Sequence, residues 1–138
     1  MLRLVLDTDV LYCAAFSNGA SSIIFDDIVD GKYIMLYSNT LLTEYESVLL
    51  RNCKNKQDMK DVDNILKFIL HYGEKVLIFY IYRMLAKNAK DAMIVDAVIN
   101  GSADYLITFN KRHYYPIKYT KILKPAEFLK EVAGNGSN

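Results

Sequence analysis

The chain has 138 residues, 52% of them hydrophobic and 24% charged. That length can bury a core without disulfide support, and that balance excludes a disordered or membrane-embedded chain. No apolar run is long enough to span a bilayer, and a net charge of +1 announces no global attraction to nucleic acid. A local basic patch can still coexist with an acidic pocket on a domain of this size. The start, Met1 to Leu6, meets Asp7 at once without a small-residue cleavage site, which argues against a signal peptide. Cys13 and Cys53 lack metal-ligand spacing and are read as reduced thiols of a cytoplasmic protein.

In chain order, the run from Leu2 to Leu6 reads as a buried strand that delivers Asp7-Thr8-Asp9 at its C-terminal end. Ile23 to Val29 carries a helical pattern that Gly31 closes, and Tyr33 to Tyr37 reads as a second strand, so a right-handed parallel crossover joins the two. Ser38 or Asn39 caps a helix from about Thr40 to Arg51, which holds Glu44 in its first turns. Met59 to Tyr72 is amphipathic, with Val62, Ile65, Leu66, Ile69 and Leu70 on one face, and Val76 to Phe79 is a short strand candidate. Asp91 opens a helix over Ala92 to Asn100 that ends at Gly101, and Tyr105 to Thr108 is another buried strand. A last short strand falls between Ile117 and Leu123, and Pro125 starts a terminal helix, Ala126 to Val132. The tail 134–138 is expected to be disordered.

Four polar positions stand where a strand ends or a helix begins, on the edge where a parallel sheet exposes its site: Asp7, Glu44, Asp91 and Asn110. Hard oxygen donors of this kind suit Mg²⁺ or Mn²⁺ and metal-assisted phosphodiester hydrolysis. Each position also has a structural reading. Asp7 ends a strand, Glu44 complements a helix N-terminus, Asp91 is an N-cap and Asn110 is a turn residue. Asp7 resists that reading best, because a carboxylate directly after a fully apolar strand sits near the buried sheet edge and needs a partner.

Asp7-Thr8-Asp9-Val10-Leu11 resembles the opening motif of PIN domains, found in VapC-type toxins and related ribonucleases. The blocks Asp91 to Ala97 and Gly101 to Asn110 resemble the helix and strand of that family's toxin branch, in the same order and spacing. Thr43-Glu44-Tyr45 is similar to the segment that supplies the second acid, and Pro125 to Leu129 to the closing helix. The resemblance covers nearly the whole chain. It implies a three-layer α/β/α fold with a central parallel sheet, formed by residues 1–133 as one nuclease domain. It also implies a metal-dependent endoribonuclease that cuts RNA, held by an antitoxin protein and often a homodimer. On the same resemblance Asp7, Glu44 and Asp91 are the metal ligands, with Asn110 in the fourth position.

Asn110 gives the site one charge fewer than an all-acidic quartet, which is expected to weaken a second metal. Asp9 restores that charge if it faces the pocket. It shares a face with Asp7 if the strand continues and loses it if a turn follows Asp7. Thr8 and Thr108 are candidates to hydrogen-bond the acids. Asp96 lies about 140° around the helix from Asp91, which favours a solvated or capping role over one at the metal. Lys87, Lys90, Lys111 and Arg112 are candidate phosphate contacts, or ordinary solvated cations. His113, Tyr114 and Tyr115 are candidate stacking groups for unpaired bases. His71 reads as a helix C-terminal cation, and Asp104 as structural. Two other readings remain open: a PIN-like module that binds RNA or protein without cutting, and a phosphoacceptor domain of flavodoxin type. The latter lacks the paired acids and the lysine it requires.

Overall fold

The computed structural model describes residues 1–81 and 85–136. Its elements run β1 (Arg3–Leu6), α1 (Thr8–Phe16), α2 (Ala20–Val29), β2 (Ile34–Tyr37), α3 (Asn39–Arg51), α4 (Lys56–Tyr72) and β3 (Glu74–Lys75). They continue with α5 (Ala89–Asn100), β4 (Tyr105–Ile107), a 3-10 turn (Lys111–His113), β5 (Lys121–Leu123) and α6 (Pro125–Gly136). The strands form one parallel sheet in the order β3-β2-β1-β4-β5.

β1 lies at the centre because Leu4, Val5 and Leu6 are all fully buried. A strand buried on both faces must be covered by helices on both, which gives the three-layer α/β/α arrangement expected of these sequence runs. α5 lies against β1 and β2, while α1 and α6 both pack on α2. Phe128 of α6 sits edge-on to Tyr33 and Tyr105, with ring centroids 5.3 Å and 5.1 Å away. Asp104 is structural, as read: its carboxylate accepts the Arg3 amide at 2.9 Å and its own amide donates to the Arg3 carbonyl.

Caps fix the helix starts. Ser38 is the residue that caps α3, its hydroxyl accepting the Leu41 amide at 3.1 Å. Asn55 caps α4 through the Asp58 amide, so that helix begins before the Met59 expected from periodicity. On α4, Val62 and Ile69 are buried, but Leu70 turns outward with Phe68 and Tyr72 and is 57% exposed, contrary to its placement on the apolar face. The stripe to the core is narrower than the sequence pattern, because α4 packs at the periphery against α3 and β2.

β3 corrects the strand expected over Val76–Phe79. The chain pairs with β2 at Glu74 and Lys75, both exposed, and Val76 makes one more amide bond to the Tyr37 carbonyl at 2.7 Å. Beyond it, Leu77 to Ile81 join no strand and are exposed despite their apolar side chains. Their backbone is held instead by Asn100, whose Oδ1 accepts the Phe79 and Tyr80 amides at 3.0 and 3.1 Å while its Nδ2 donates to the Tyr80 carbonyl at 2.8 Å. In the expected Ile117–Leu123 strand only Lys121–Leu123 pairs with β4; Ile117 and Thr120 face each other in a tight turn. α6 continues to Gly136, past the boundary expected at residue 133, and Ser137 and Asn138 lie outside the described residues.

Candidate active site

β1 ends at Leu6 and the chain turns at once into α1, a helix not anticipated from the sequence, with Asp7 as its N-cap. Asp7 Oδ1 accepts the Thr8 amide at 2.7 Å. Asp7 does follow the end of the strand, but the cap it provides was not foreseen, and that cap uses only one of the two carboxylate oxygens. Oδ2 accepts the Thr108 hydroxyl at 2.7 Å and the Tyr114 hydroxyl at 2.9 Å. Asp7 is 6% exposed and Thr108 is fully buried. Burial raises the Asp7 carboxyl above the ordinary range, against the pull of its Thr108 and Tyr114 donors, and the charge of Asp91 pushes the same way as burial.

Asp91 reaches the same place from α5. The N-cap of that helix is Asn88, which takes the Asp91 amide on its side chain at 3.1 Å, so the N-cap role expected for Asp91 falls to another residue. The Asp91 carboxylate is left for something else. Its Oδ1 lies 3.3 Å from the Tyr114 hydroxyl, and its Oδ2 lies 3.2 Å from His113 Nδ1. The imidazole is off the line a hydrogen bond needs, and Oδ2 is buried with no aligned donor among the described residues. One hydroxyl carries one proton, so the two acids share it, Asp7 by the shorter contact and Asp91 by the longer. Asp91, 8% exposed, is thus a buried carboxylate short of donors. A cation stabilises such a group, and His113 at 3.2 Å, when protonated, is the nearest one among the described residues.

Between these elements lies a cavity of about 210 Å³, bordered by Asp7, Asp9, Glu44, Asp91 and Asn110. Glu44 is half-buried and comes from α3. Asp9 is exposed on the first turn of α1 and keeps its place at the cavity despite the turn after Asp7. Its carboxylate accepts from Asn110 Nδ2 at 3.4 Å, and the Asn110 amide donates to Thr108 Oγ1 at 3.0 Å. Thr8, Val48, Asn88, Lys90 and His113 complete the rim.

Other expected residues fall elsewhere. Asp96 borders a separate cavity of about 270 Å³ with Ser38, Thr40 and Met93. Lys111 pairs with Glu127 at 3.0 Å, and Lys87 lies over the Tyr115 ring at 5.0 Å. Arg112 is exposed and is not on the cavity wall. Tyr114 is buried, 5% exposed, so it is unable to stack on a base. Its role beneath the acids, like the cap by Asn88, was not legible from sequence: an antiparallel bridge to Ala86 carries Tyr114 there. Burial first, then the Asp7 and Asp91 charges, push its hydroxyl far above the ordinary tyrosine value and keep it protonated. Tyr45, one residue after Glu44, is fully buried and donates to the Leu6 carbonyl, tying α3 to the end of β1.

Comparison with known proteins comes to the same architecture. No curated protein sequence matches the chain. A crystal structure of VapBC2 from Rickettsia felis bound to a DNA fragment from their promoter contains a similarly folded chain. The TM-score is 0.57 at 14% identity, covering 88% of this chain and 97% of that one. The sequence profile of the PIN domain matches residues 3–112, and the chain therefore belongs to the PIN-domain family.

Proposed function

We propose that the chain is a Mg²⁺- or Mn²⁺-dependent endoribonuclease, the toxin of a toxin–antitoxin pair. The observation that carries the reading is the donor-poor buried Asp91 carboxylate beside Asp7, at a cavity walled by further oxygen donors. Family membership supports it, since PIN domains are in general nucleases. An antitoxin partner is supported by the fold shared with the Rickettsia felis complex.

Among the described residues no three His, Cys, Asp or Glu side chains stand close enough to hold an ion jointly. Mg²⁺ does not need three: it usually takes one or two carboxylates and keeps several waters. Asp91 and Asp7 would hold it directly, with Glu44 and Asp9 reaching it through water. When bound, the ion neutralises the scissile phosphate and makes a water nucleophilic near neutral pH. The chain's own residues prepare that step. Thr8 and Thr108 fix Asp7, Lys90 at the rim meets the RNA backbone, and burial of the acids keeps bulk water away.

Asp7→Asn is expected to abolish Mn²⁺-dependent cleavage of RNA while the protein remains folded. Unchanged cleavage by that variant would sink the proposal. A second reading is a domain that binds RNA or protein without cutting. The tie between Asn110 and Asp9 favours it, because this tie spends one of the remaining carboxylates on an amide. Retained RNA binding with no cleavage at millimolar Mn²⁺ would decide for that reading.

A further inference from the structure

We infer that Tyr114 is a positioning residue, whose hydroxyl clamps Asp7 and Asp91 at the separation at which they share one divalent cation. The inference rests on the metal-dependent reading above and adds a residue to it.

Two buried carboxylates side by side repel each other, and among the described residues no hydrogen bond within α1 or α5 ties one to the other. Tyr114 does. Its single oxygen lies 2.9 Å from Asp7 Oδ2 and 3.3 Å from Asp91 Oδ1. The tyrosine is fixed from its backbone outward. Its amide donates to the Lys111 carbonyl at 3.2 Å, and it faces Ala86 in an antiparallel bridge. On either side, Lys87 donates to the His113 carbonyl at 3.0 Å and Tyr115 to the Leu85 carbonyl at 3.1 Å. A ring held in this way and buried has no room to swing its hydroxyl out of the site.

The hydroxyl also determines which oxygens are available. A carboxylate offers about four lone-pair sites. On Asp7, three are met by Thr8, Thr108 and Tyr114, which leaves one, on Oδ1. On Asp91, Oδ1 faces the hydroxyl and Oδ2 has no aligned donor. Each acid therefore presents one oxygen to a cation, and Tyr114 stands behind both.

The test is Tyr114→Phe in the full chain, which keeps the ring and removes the clamp. Mn²⁺ binding without RNA is measured by calorimetry or by the paramagnetic resonance signal of the free ion. Loss of a group that orients metal ligands commonly costs about 10–100-fold in affinity. The expected result is a dissociation constant weakened by about 10-fold or more on that scale, with cleavage recovering toward the wild-type turnover at saturating Mn²⁺. Binding within a few-fold of wild type, with a lowered melting temperature only, would mean that the hydroxyl serves stability alone and would overturn the inference. Tighter binding would overturn it too, because the hydroxyl would then compete with the ion. If the wild type binds no Mn²⁺, the metal-dependent reading fails first and takes this one with it. Should the phenylalanine variant not fold, 3-fluorotyrosine at position 114 keeps the hydroxyl. Its fluorine resonance is expected to shift on Mg²⁺ addition, and a constant resonance while Mg²⁺ binds would refute the clamp.

Discussion

Thr108→Val is close to isosteric and removes one hydroxyl from a fully buried position. That hydroxyl donates to Asp7 Oδ2 at 2.7 Å and accepts the Asn110 amide at 3.0 Å. A hydrogen bond to a charged group contributes roughly 1.5–3 kcal/mol, and the part-buried Asn110 amide left without its acceptor costs about 1 kcal/mol at most. The variant should therefore lose about 3 kcal/mol. With an unfolding entropy near 2.1 cal/mol/K per residue, a chain of 138 residues loses roughly 10 °C in melting temperature. Differential scanning calorimetry in EDTA measures this directly. Thr108→Ser keeps the hydroxyl and should lose only about 1 kcal/mol, the cost of a buried methyl group. The reasoning fails if valine and serine variants melt together, or if the valine variant stays within about 1 kcal/mol of wild type on the same scale.

Asn110→Asp places a carboxylate within reach of Asp9 and is expected to tighten Mg²⁺ binding severalfold, read by calorimetry; unchanged affinity would place the side chain outside the ion's surroundings. Gly101→Ala would put a methyl 2.8 Å from the Ala97 carbonyl and from Val76 Cγ2, and 2.9 Å from Leu36 Cδ1, where backbone and core must shift. A loss of about 1–3 kcal/mol in urea denaturation is expected, the usual cost of overpacking. Tyr105 donates to Glu131 and burial pushes its hydroxyl up to about 12, against an ordinary value near 10. Between those values the unfolded chain has lost a proton that the folded chain keeps, so stability falls as pH rises from about 10 to about 12 and levels off above. Tyr105→Phe should flatten that part of the pH–stability curve, and a curve as steep as wild type would assign the alkaline loss to other groups.

What could be read from the sequence was what local physics decides. β1, β2 and β4 are continuous apolar runs buried on both faces, and α3 shows its serine cap and its helical spacing. α1 is harder to see because Val10 to Phe16 is apolar all round, so no stripe marks it as a helix. β3 went astray because edge pairing uses Glu74 and Lys75, whose side chains carry no strand signal, while the apolar run beside them is unpaired. At the site, Asp7, Glu44, Asp91 and Asn110 border one cavity, and Thr8 and Asp9 join them. Asp96 and Lys111 are carried away from it, Asp96 by its helix phase and Lys111 by its pairing with Glu127, while Arg112 is exposed and off the cavity wall. Tyr114 depends on contacts far along the chain with β1 and α5, which no local pattern encodes.

The Asn100 side chain that holds residues 79 and 80 carries a further consequence. Leu77 to Ile81 has the composition of a segment that seeds intermolecular β-stacking: apolar, strongly β-forming and uncharged. Stacking needs unsatisfied amides and carbonyls as well as sticky side chains. One carboxamide occupies two of the amides and a carbonyl at the middle of the stretch, standing in for the neighbouring strand that the sheet edge lacks. Asn100→Ala frees those two amides and that carbonyl, and the variant is expected to aggregate faster than the wild type in a thioflavin fluorescence assay; equal rates would refute the shielding role.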